Sequence, residues 1–359
     1  EGGAESLFAE IAQIFPSAPV YTSFVDWDKL PESVSRDRIK TSFIQKIPFG
    51  AKFHKLLLPF YPFVFESFNL DDFDLVISST TRFAKSAITK PQTVHICYVN
   101  NIPRFLWDIE VQTNYLPQFL ISILKPYFSW LKRWDSAASS RVDFYIANSK
   151  NVEKRINNSY GVPSQIIYPS ADLDFYTIAK VHNWELKSKS YFLVVTRLVR
   201  WKKIDLAIDA LAKSNSPLII VGDGPDESRL RHVAKGNSKV QLIGRVTRKR
   251  LKELYQNAKA LIVTQEEDFG ISIVEAQACG IPVIAYGEGG QKEIIIENKT
   301  GLFFEIQSAQ SLKDAIEYFS RLKWSKAACR KNALRFSREN FVFNLKVFIK
   351  EYGPKTVGV

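Results

Sequence analysis

Residues 260–286 read A-L-I-V-T-Q-E-E-D-F-G-I-S-I-V-E-A-Q-A-C-G-I-P-V-I-A-Y, and this stretch decides the fold class. The apolar run at 260–264 has the length and composition of a buried strand, and the run at 282–286 has the same character. Between them, residues 271–279 are typical of a short helix that follows an acidic loop at 265–270. A strand, loop, helix and strand in this order predict a parallel βαβ unit.

The same alternation continues along the chain on both sides of this unit. Further strand patterns in the second half occur at residues 191–198, 217–221 and 240–243, with helical patterns between them. The first half alternates more loosely, and its strand patterns occur at residues 74–79, 93–98, 141–147 and 165–168. Because open parallel sheets bind ligands at the carboxyl ends of their strands, we expect an α/β protein with two Rossmann-like domains that face each other across a cleft.

The expected domain limits follow from composition. Residues 1–179 form the first domain, and residues 180–336, which begin with a polar linker, form the second. Residues 337–359 are predicted to be a helix that returns to the first domain. The chain opens on a glycine turn that leads straight into a helical pattern, so we expect that a first strand is missing from the sequence.

The overall composition excludes some classes of protein and leaves others open. With 359 residues, 46% apolar and 24% charged, the chain is neither disordered nor built of spanning helices, and it is long enough for two domains. The net charge of +12 favours an acidic partner, which leaves nucleic acid, an anionic membrane and a phosphorylated substrate open. Three cysteines form no disulfide framework, so a reducing compartment is expected.

The residues after the acidic loop are suited to binding an anion. Gly270 permits tight backbone geometry, and the backbone N–H groups of Ile271, Ser272 and Ile273 would open the helix. A helix start of this kind is a ready site for a phosphate or diphosphate. Glu267 and Glu275 would lie on either side of the diphosphate, one facing a ribose and the other facing the group that the diphosphate carries. Upstream, Arg197 and Lys202 follow a predicted strand and could bind the same diphosphate.

Several motifs together resemble a known family. They are T-R-L-V-R-W-K at 196–202, V-G-D-G-P at 221–225 and E-D-F-G-I-S-I-V-E-A-Q-A-C-G-I-P-V-I-A-Y-G-E-G-G at 267–290, joined in the first half by G-G-A-E, D-L-V-I-S-S, H-I-C-Y, R-F-L-W-D and R-V-D-F-Y-I-A-N-S. The chain is similar to the retaining glycosyltransferases of family four, which have the GT-B fold, and to their WbaZ-like branch of bacterial mannosyltransferases. The resemblance covers nearly the whole chain, and it implies that residues 1–179 form the acceptor-side domain and residues 180–336 the nucleotide-sugar-binding domain.

The resemblance implies a role for each matching residue. Glu267 would contact hydroxyls of the donor sugar, Glu275 the ribose, and Arg197 with Lys202 would stabilise the departing diphosphate. The other donor-binding positions that it implies are Gly2, Gly3, Gly244, Arg245, Val246, Gly270, Ile271, Ser272 and Ile273. No metal and no cofactor are required. The donor implied first is GDP-mannose and the second a UDP-sugar, with transfer of the hexose to a saccharide or lipid-linked acceptor in polysaccharide synthesis.

The chain departs from the family pattern at Asn100, which replaces the family histidine near the reacting carbon of the sugar. Asparagine can hydrogen-bond a hydroxyl group, but it cannot exchange a proton usefully. Retaining transfer in this fold is thought to need no strong enzymatic base, so a transferase remains favoured. The alternative is a protein that binds a sugar nucleotide or glycan without catalysis. His95 lies inside a predicted strand and is interpreted as structural.

Residues 115–134 admit two interpretations. Their aromatic residues, with Lys125, Lys132 and Arg133, resemble an interfacial segment at an anionic membrane, which would place a cytoplasmic enzyme at the inner face. The alternative is that the aromatic residues cover the first sheet, and Pro117 and Pro126 are expected to interrupt any single helix. Nucleic acid is not expected as a partner, because a basic cleft for diphosphates explains the charge as well.

Overall fold

The computed structural model describes residues 3–30, 33–47, 60–108, 118–179, 191–212 and 216–358. By its internal packing the chain divides into two units, one formed by Glu1–Pro169 with Phe341–Val359 and the other by Ser170–Asn340. Residues 170–179 thus group with the second unit rather than the first. Arg330 is one residue that joins this segment to the second unit, because it donates hydrogen bonds to the backbone carbonyls of Leu173 and Tyr176 at 2.9 and 2.6 Å. Gly2 and the linker residues 180–190 lie outside the described residues.

The elements in the described residues follow the chain in this order. The strands are β1 (Val20–Thr22), β2 (Ile39–Thr41), β3 (Leu75–Thr80), β4 (Val94–Val99), β5 (Phe144–Ala147), β6 (Gln165–Ile166), β7 (Phe192–Val195), β8 (Leu218–Val221), β9 (Val240–Leu242), β10 (Leu261–Val263), β11 (Val283–Tyr286) and β12 (Gly301–Phe304). The α-helices are α1 (Gly3–Ile14), α2 (Tyr61–Glu66), α3 (Arg104–Trp107), α4 (Gln118–Ser139), α5 (Lys150–Tyr160), α6 (Asp205–Leu211), α7 (Glu227–Val233), α8 (Arg248–Asn257), α9 (Ile271–Ala278), α10 (Gln291–Ile294), α11 (Ala309–Arg321), α12 (Lys326–Ala333) and α13 (Arg338–Tyr352).

The second unit is built on a six-stranded parallel sheet in the order β12-β11-β10-β7-β8-β9. This is the doubly wound order, in which the chain starts in the middle of the sheet and builds outward first to one side and then to the other. The point where the direction of winding reverses lies between β7 and β10, which pair through Leu193 and Leu261. The expectation of a parallel-sheet α/β domain is confirmed. Strand β12 was not recognised in the sequence.

The central strands of this sheet are apolar because helices cover both of its faces. Leu261, Ile262 and Val263 of β10 are all under 5% exposed, a pattern typical of buried parallel strands. Ile262 packs in a core cluster that also contains Ile208 of α6 and Leu312 of α11. Burial on both faces fixes the register of the strands and therefore fixes which loops meet at the carboxyl edge of the sheet.

The first unit contains a four-stranded parallel sheet in the order β3-β4-β5-β6 and a separate parallel pair, β1 and β2. Helix α13 packs into its core, although it comes last in the chain. Phe341 and Phe348 of α13 share a buried cluster with Leu7 of α1 and Tyr98 of β4. The ring centroids of Tyr98 and Phe341 are 6.0 Å apart in an edge-to-face arrangement.

Helix α4 corrects one expectation about the aromatic stretch. It runs without a break from Gln118 to Ser139 and includes Pro126, which was expected to interrupt it. A proline inside a helix removes one backbone hydrogen bond, and the packing of one face of α4 compensates for that loss. Leu131 and Ala138 on that face are fully buried. In the part of the chain that the structure describes, no helix is long and apolar enough to cross a membrane.

Candidate active site

The loops that follow β7 and β10 carry the charged residues of the candidate site. These strands are neighbours at the reversal point of the sheet, so their carboxyl ends open onto the same place, where doubly wound sheets bind ligands. The loop after β7 contains Arg197 and ends in a 3₁₀ turn at Arg200–Lys202. The loop after β10 leads through Glu267 to the start of α9 at Ile271. The fold thus joins two segments that are distant in sequence.

Lys202 and Glu267 form an ion pair at this edge. The Lys202 ammonium donates to both carboxylate oxygens of Glu267, each at 2.8 Å, and it lies 4.3 Å from the centroid of the Trp201 ring. Lys202 is only 7% exposed. The side-chain amide of Gln265 also donates to the Glu267 carboxylate. Because taking an unpaired charge out of water is costly, each of the two residues supplies the counter-charge that the other needs.

Gln291 at the start of α10 fixes the backbone of the acidic loop. It is fully buried, and its Oε1 accepts a hydrogen bond from the N–H of Glu267 at 2.9 Å. Its Nε2 donates to the carbonyls of Gln265 and Tyr286 at 2.8 and 2.9 Å. Gln291 is not among the site residues that the sequence predicts. A polar side chain directly after the Gly289-Gly290 pair was the only signal for it.

Two adjacent glycines allow the acidic loop to approach α10 closely. A Cβ atom on Gly290 would lie 2.4 Å from the carbonyl oxygen of Asp268 and 2.6 Å from the Cα of Phe269. A Cβ on Gly289 would lie 2.7 Å from the carbonyl oxygen of Glu267. The N–H of Gly290 donates to that same carbonyl at 2.8 Å. Only residues without a side chain fit here, so the loop is held by backbone contacts as well as by Gln291.

Helix α9 begins at Gly270, whose φ of 104° lies in the left-handed region that favours glycine. The N–H of Ile273 donates to the carbonyl of Gly270 at 2.9 Å. This corrects the expectation that three free amides open the helix, because that of Ile273 is already used. The amides of Ile271 and Ser272 therefore form the part of the helix start that can receive an anion.

Glu275 lies one turn into α9 in a separate set of contacts. The hydroxyl of the fully buried Tyr255 donates to Glu275 Oε2 at 3.0 Å. Burial raises the pKa of Glu275 to about 7, although hydrogen bonds from Tyr255 and Tyr176 and the charge of Arg248 act in the opposite direction. Near neutral pH this carboxyl group is present in both protonation states, so it can accept or donate a hydrogen bond to a hydroxyl group.

The loops after β8 and β9 adjoin the loop after β7. The N–H of Gly222 donates to the carbonyl of Gly244 at 2.9 Å, and a Cβ on Gly222 would lie 1.9 Å from the carbonyl oxygen of Thr196. Arg245 is exposed and pairs with Asp223 at 2.7 Å, and Val246 beside it is half-buried. The structure therefore brings Gly244, Arg245 and Val246 to the same edge of the sheet as the loop that contains Arg197 and Lys202.

Arg197 differs from Lys202, although both follow β7. Its side chain is exposed, and within the described residues it makes no hydrogen bond or ion pair. An exposed guanidinium group in this loop is available to a phosphate, for which its planar set of donors is well suited. The structure therefore separates the two predicted cations into one that is held by Glu267 and one that faces solvent.

The remaining candidates lie in the first unit. Gly3 is the first residue of α1, and Gly2 falls outside the described residues. Asn100 directly follows β4, where its N–H donates to the carbonyl of Thr80 at 2.8 Å and its Nδ2 donates to Ser79 Oγ at 3.0 Å. His95, interpreted from the sequence as structural, is fully buried within β4, and burial lowers its pKa to about 4.

Comparison with known proteins gives a family match to most of the second unit. Residues 177–336 match the family described as glycosyl transferases group 1. An uncharacterized glycosyltransferase of Methanocaldococcus jannaschii is 30% identical over 181 residues, which are 49% of this chain and 47% of that protein. The chain spans about half the length of the curated relatives that it matches first.

Solved structures of known proteins extend the likeness in fold to both units. Sucrose-phosphate synthase of Thermosynechococcus elongatus superposes with a TM-score of 0.71 and 17% identity, covering 96% of this chain and 91% of that one. The Anabaena protein HepE, solved with UDP and glucose, gives a TM-score of 0.68 and 18% identity, covering 97% and 96%. The chain therefore has the GT-B fold, and residues 177–336, which contain the Lys202–Glu267 pair, match the family model of the group 1 glycosyl transferases.

Proposed function

We propose that this protein is a retaining, metal-independent glycosyltransferase. It moves a hexose from a nucleotide diphosphate sugar to a saccharide or lipid-linked glycan acceptor in the synthesis of cell-surface polysaccharide. The observation that carries this proposal is the ion pair between Lys202 and Glu267 at the carboxyl ends of β7 and β10. A cation and an acid at this point of a doubly wound sheet suit a ligand that has both phosphate oxygens and hydroxyl groups.

In this proposal the bound donor breaks the ion pair and forms a new contact with each of its two residues. Its phosphate oxygens take the place of the Glu267 carboxylate at the Lys202 ammonium, and its sugar hydroxyls donate to Glu267 instead. Arg197 and the amides of Ile271 and Ser272 add further donors to the diphosphate. Negative charge develops on the diphosphate as it leaves, and fixed cations and N–H groups stabilise that charge without a metal. The departing phosphate then accepts the proton of the acceptor hydroxyl.

In this proposal other residues of the second unit bind the nucleoside. Glu275 hydrogen-bonds the ribose hydroxyls, for which a carboxyl group that titrates near neutral pH is suited. The loop at Gly244, Arg245 and Val246 contacts the nucleobase. The resemblance assigns Gly2, Gly3 and Asn100 of the first unit to the donor as well. These roles are part of the proposal.

Two donors fit this proposal, and we place GDP-mannose first because the sequence resembles the mannosyltransferase branch. A UDP-sugar is the second candidate, since HepE, which has the same fold, was solved with UDP and glucose. Nucleotide sugars are cytoplasmic metabolites, so we propose that the reaction takes place in the cytoplasm. A protein that binds a sugar nucleotide without catalysis is the alternative, and Asn100 in place of the family histidine is the observation that favours it.

A thermal-shift screen followed by transfer assays tests the proposal. We expect the correct donor among GDP-mannose, UDP-glucose and UDP-galactose to raise the melting temperature of the wild type, because a ligand that binds only the folded state stabilises it. Lys202→Ala and Glu275→Ala should each lower turnover at least ~100-fold, the loss typical of one missing electrostatic contact to a transition state. Lys313→Ala, which removes an exposed lysine of α11, is the matched control.

The outcomes separate the candidates. Wild-type turnover in both site variants would overturn the site assignment. Donor binding without hydrolysis or transfer in a single-turnover assay would support the non-catalytic alternative. Stabilisation by UDP-sugars and not by GDP-mannose would replace the first donor with the second.

A further inference from the structure

Helix α4 has two apolar faces, and only one of them packs into the first unit. The packed face includes Leu131, which is fully buried beside Tyr61 and Phe83. The other face is formed by residues at spacings of four, three and four: Phe119, Ile123, Pro126 and Trp130. At this spacing the four side chains form one stripe along the helix. Phe119, Ile123 and Trp130 are 64%, 68% and 41% exposed.

The exposed charge on α4 is entirely positive. Lys125, Lys132 and Arg133 are exposed, whereas the only acid of the helix, Asp135, is fully buried. Asp135 forms an ion pair with the buried Lys85 and accepts hydrogen bonds from Trp107 and Tyr160 at 2.9 and 2.8 Å. The negative charge of the helix is therefore neutralised inside the protein, whereas Lys125 and Arg133 face solvent and the ammonium of Lys132 lies 4.3 Å from the centroid of the Trp107 ring.

The neighbouring helix α2 likewise has one buried apolar face, further apolar side chains that are exposed, and a single acid that is paired. It shares a buried cluster with α4 through Tyr61 and Val64, yet it leaves Phe63 54% exposed. The preceding residue, Phe60, is 49% exposed. The acid of this helix, Glu66, forms an ion pair with Arg141 at 2.6 Å and accepts a hydrogen bond from the indole N–H of Trp134 at 3.0 Å. Both helices thus expose large apolar side chains, whereas the carboxylates of Asp135 and Glu66 form ion pairs with other residues of the first unit.

We propose that this surface docks on an anionic lipid bilayer. The docking face consists of Phe60, Phe63, Phe119, Ile123 and Trp130, and the exposed Lys125 and Arg133 lie on the same helix as the apolar stripe. Aromatic and aliphatic side chains on a helix that lies in the plane of the bilayer enter the boundary between head groups and acyl chains, and neighbouring cations contact anionic head groups. A second copy of the chain is a poorer partner, because pairing these faces would bring like charges together.

Vesicle binding of the whole protein, measured without donor or acceptor, tests the docking face. We expect the wild type to sediment with vesicles that contain phosphatidylglycerol, to bind pure phosphatidylcholine vesicles at least ~10-fold more weakly, and to be released by salt. The triple variant Phe119→Ser, Ile123→Ser and Trp130→Ser should lose at least ~10-fold in binding, since it removes the apolar stripe. Reversing charge with Lys125→Glu and Arg133→Glu should cause a similar loss.

A matched control removes exposed apolar residues elsewhere. Ile306→Ser with Tyr318→Ser changes residues of the second unit that are 70% and 50% exposed, and it should bind vesicles as the wild type does. The melting temperature of each variant shows whether it is folded. Vesicles with brominated acyl chains provide a second readout, because quenching of tryptophan fluorescence should weaken in Trp130→Phe if that indole enters the bilayer.

Three results would overturn the docking proposal. One is a wild type that ignores anionic vesicles at low salt, and another is a folded triple variant that still binds them fully. The third is a concentration-dependent dimer in analytical ultracentrifugation that the triple variant abolishes, which would assign the face to a second copy of the chain. None of these measurements depends on sugar transfer, so their outcome is separate from that of the proposed enzymatic function.

Discussion

The side chain of Gln291 holds the backbone of Glu267, whose N–H donates to Gln291 Oε1 at 2.9 Å, while Glu267 itself holds Lys202. Residues from two loops and from the start of α10 are thereby linked at one edge of the second sheet. Gln291 does not pair with Lys202 directly, so its effect on the proposed chemistry passes through the position of Glu267. We therefore regard Gln291 as a positioning residue.

Gln291→Ala should lower the rate of transfer ~100-fold, because a displacement of about 1 Å at a reacting group costs that much. It should also reduce the free energy of unfolding, since the buried N–H of Glu267 and two carbonyls lose their partner. Gln291→Glu keeps an acceptor for the Glu267 N–H and should retain more activity than the alanine variant. Steady-state kinetics and chemical denaturation measure both effects.

Gln310→Ala is the control for this prediction, because Gln310 is exposed on α11 and, among the residues that the structure describes, its side chain hydrogen-bonds Asp314 alone. Equal activity in Gln291→Ala and Gln310→Ala would show that the contact with Glu267 has no role in positioning.

Gly290→Ala should destabilise the second unit and displace the acidic loop. The added methyl group would lie 2.4 Å from the carbonyl oxygen of Asp268, and this neighbour is backbone, which cannot rotate away as a side chain can. Overpacking of this kind costs roughly 1–3 kcal/mol. Thermal denaturation and the transfer assay should both record a loss. Gly358→Ala, which meets nothing within 4 Å, should leave both unchanged.

The stability of the protein should depend on pH through Glu275. Burial raises the pKa of this carboxyl group from its ordinary value of 4.5 to about 7 in the folded state. The folded state therefore binds the proton more tightly than the unfolded state does. The resulting contribution to stability is fully present below about pH 4.5 and is lost as the pH rises through about 7. The melting temperature of Glu275→Gln relative to that of the wild type should therefore rise over this range.

Tyr255→Phe should shift this pH dependence to higher pH. The Tyr255 hydroxyl donates to Glu275 and lowers its pKa, so its removal should raise that pKa further. If Glu275 accepts ribose hydroxyls as a carboxylate, donor affinity should increase with pH in the wild type and follow the same shift in Tyr255→Phe. An identical pH profile of donor affinity in the two proteins would contradict a role of Tyr255 in positioning and ionising Glu275.

Lys85→Met should strongly destabilise the first unit. Lys85 and Asp135 are 1% and 0% exposed, and loss of the lysine leaves the Asp135 carboxylate buried without its counter-charge. Removing one partner of a buried pair typically costs about 3–5 kcal/mol in the free energy of unfolding. Lys90→Met, at an exposed lysine whose ammonium contacts a backbone carbonyl, should change stability little. Urea denaturation of the two variants compares them, and similar midpoints would refute the prediction.

The candidate site was partly accessible from the sequence. Glu267, Gly270 and the start of α9 could be proposed from a strand followed by an acidic loop and a helix, because this order is local. Gln291 could not, since its three hydrogen bonds reach Gln265, Glu267 and Tyr286 through the fold. The engagement of the Ile273 amide by Gly270 was missed because pattern reasoning does not resolve how the first turn of a helix closes.

The alternation of apolar runs and helical patterns was enough, by itself, to determine that this chain forms parallel α/β domains, because burial on both faces of a sheet requires such runs. It also placed an acidic loop before a helix start. Only the tertiary structure decided that Lys202 and Glu267, 65 residues apart, form one ion pair. The order of the strands sets that contact. Whether Asp135 would be an exposed acid or a buried partner of Lys85 was likewise decided by packing, since helix spacing alone does not say which other element supplies a counter-charge.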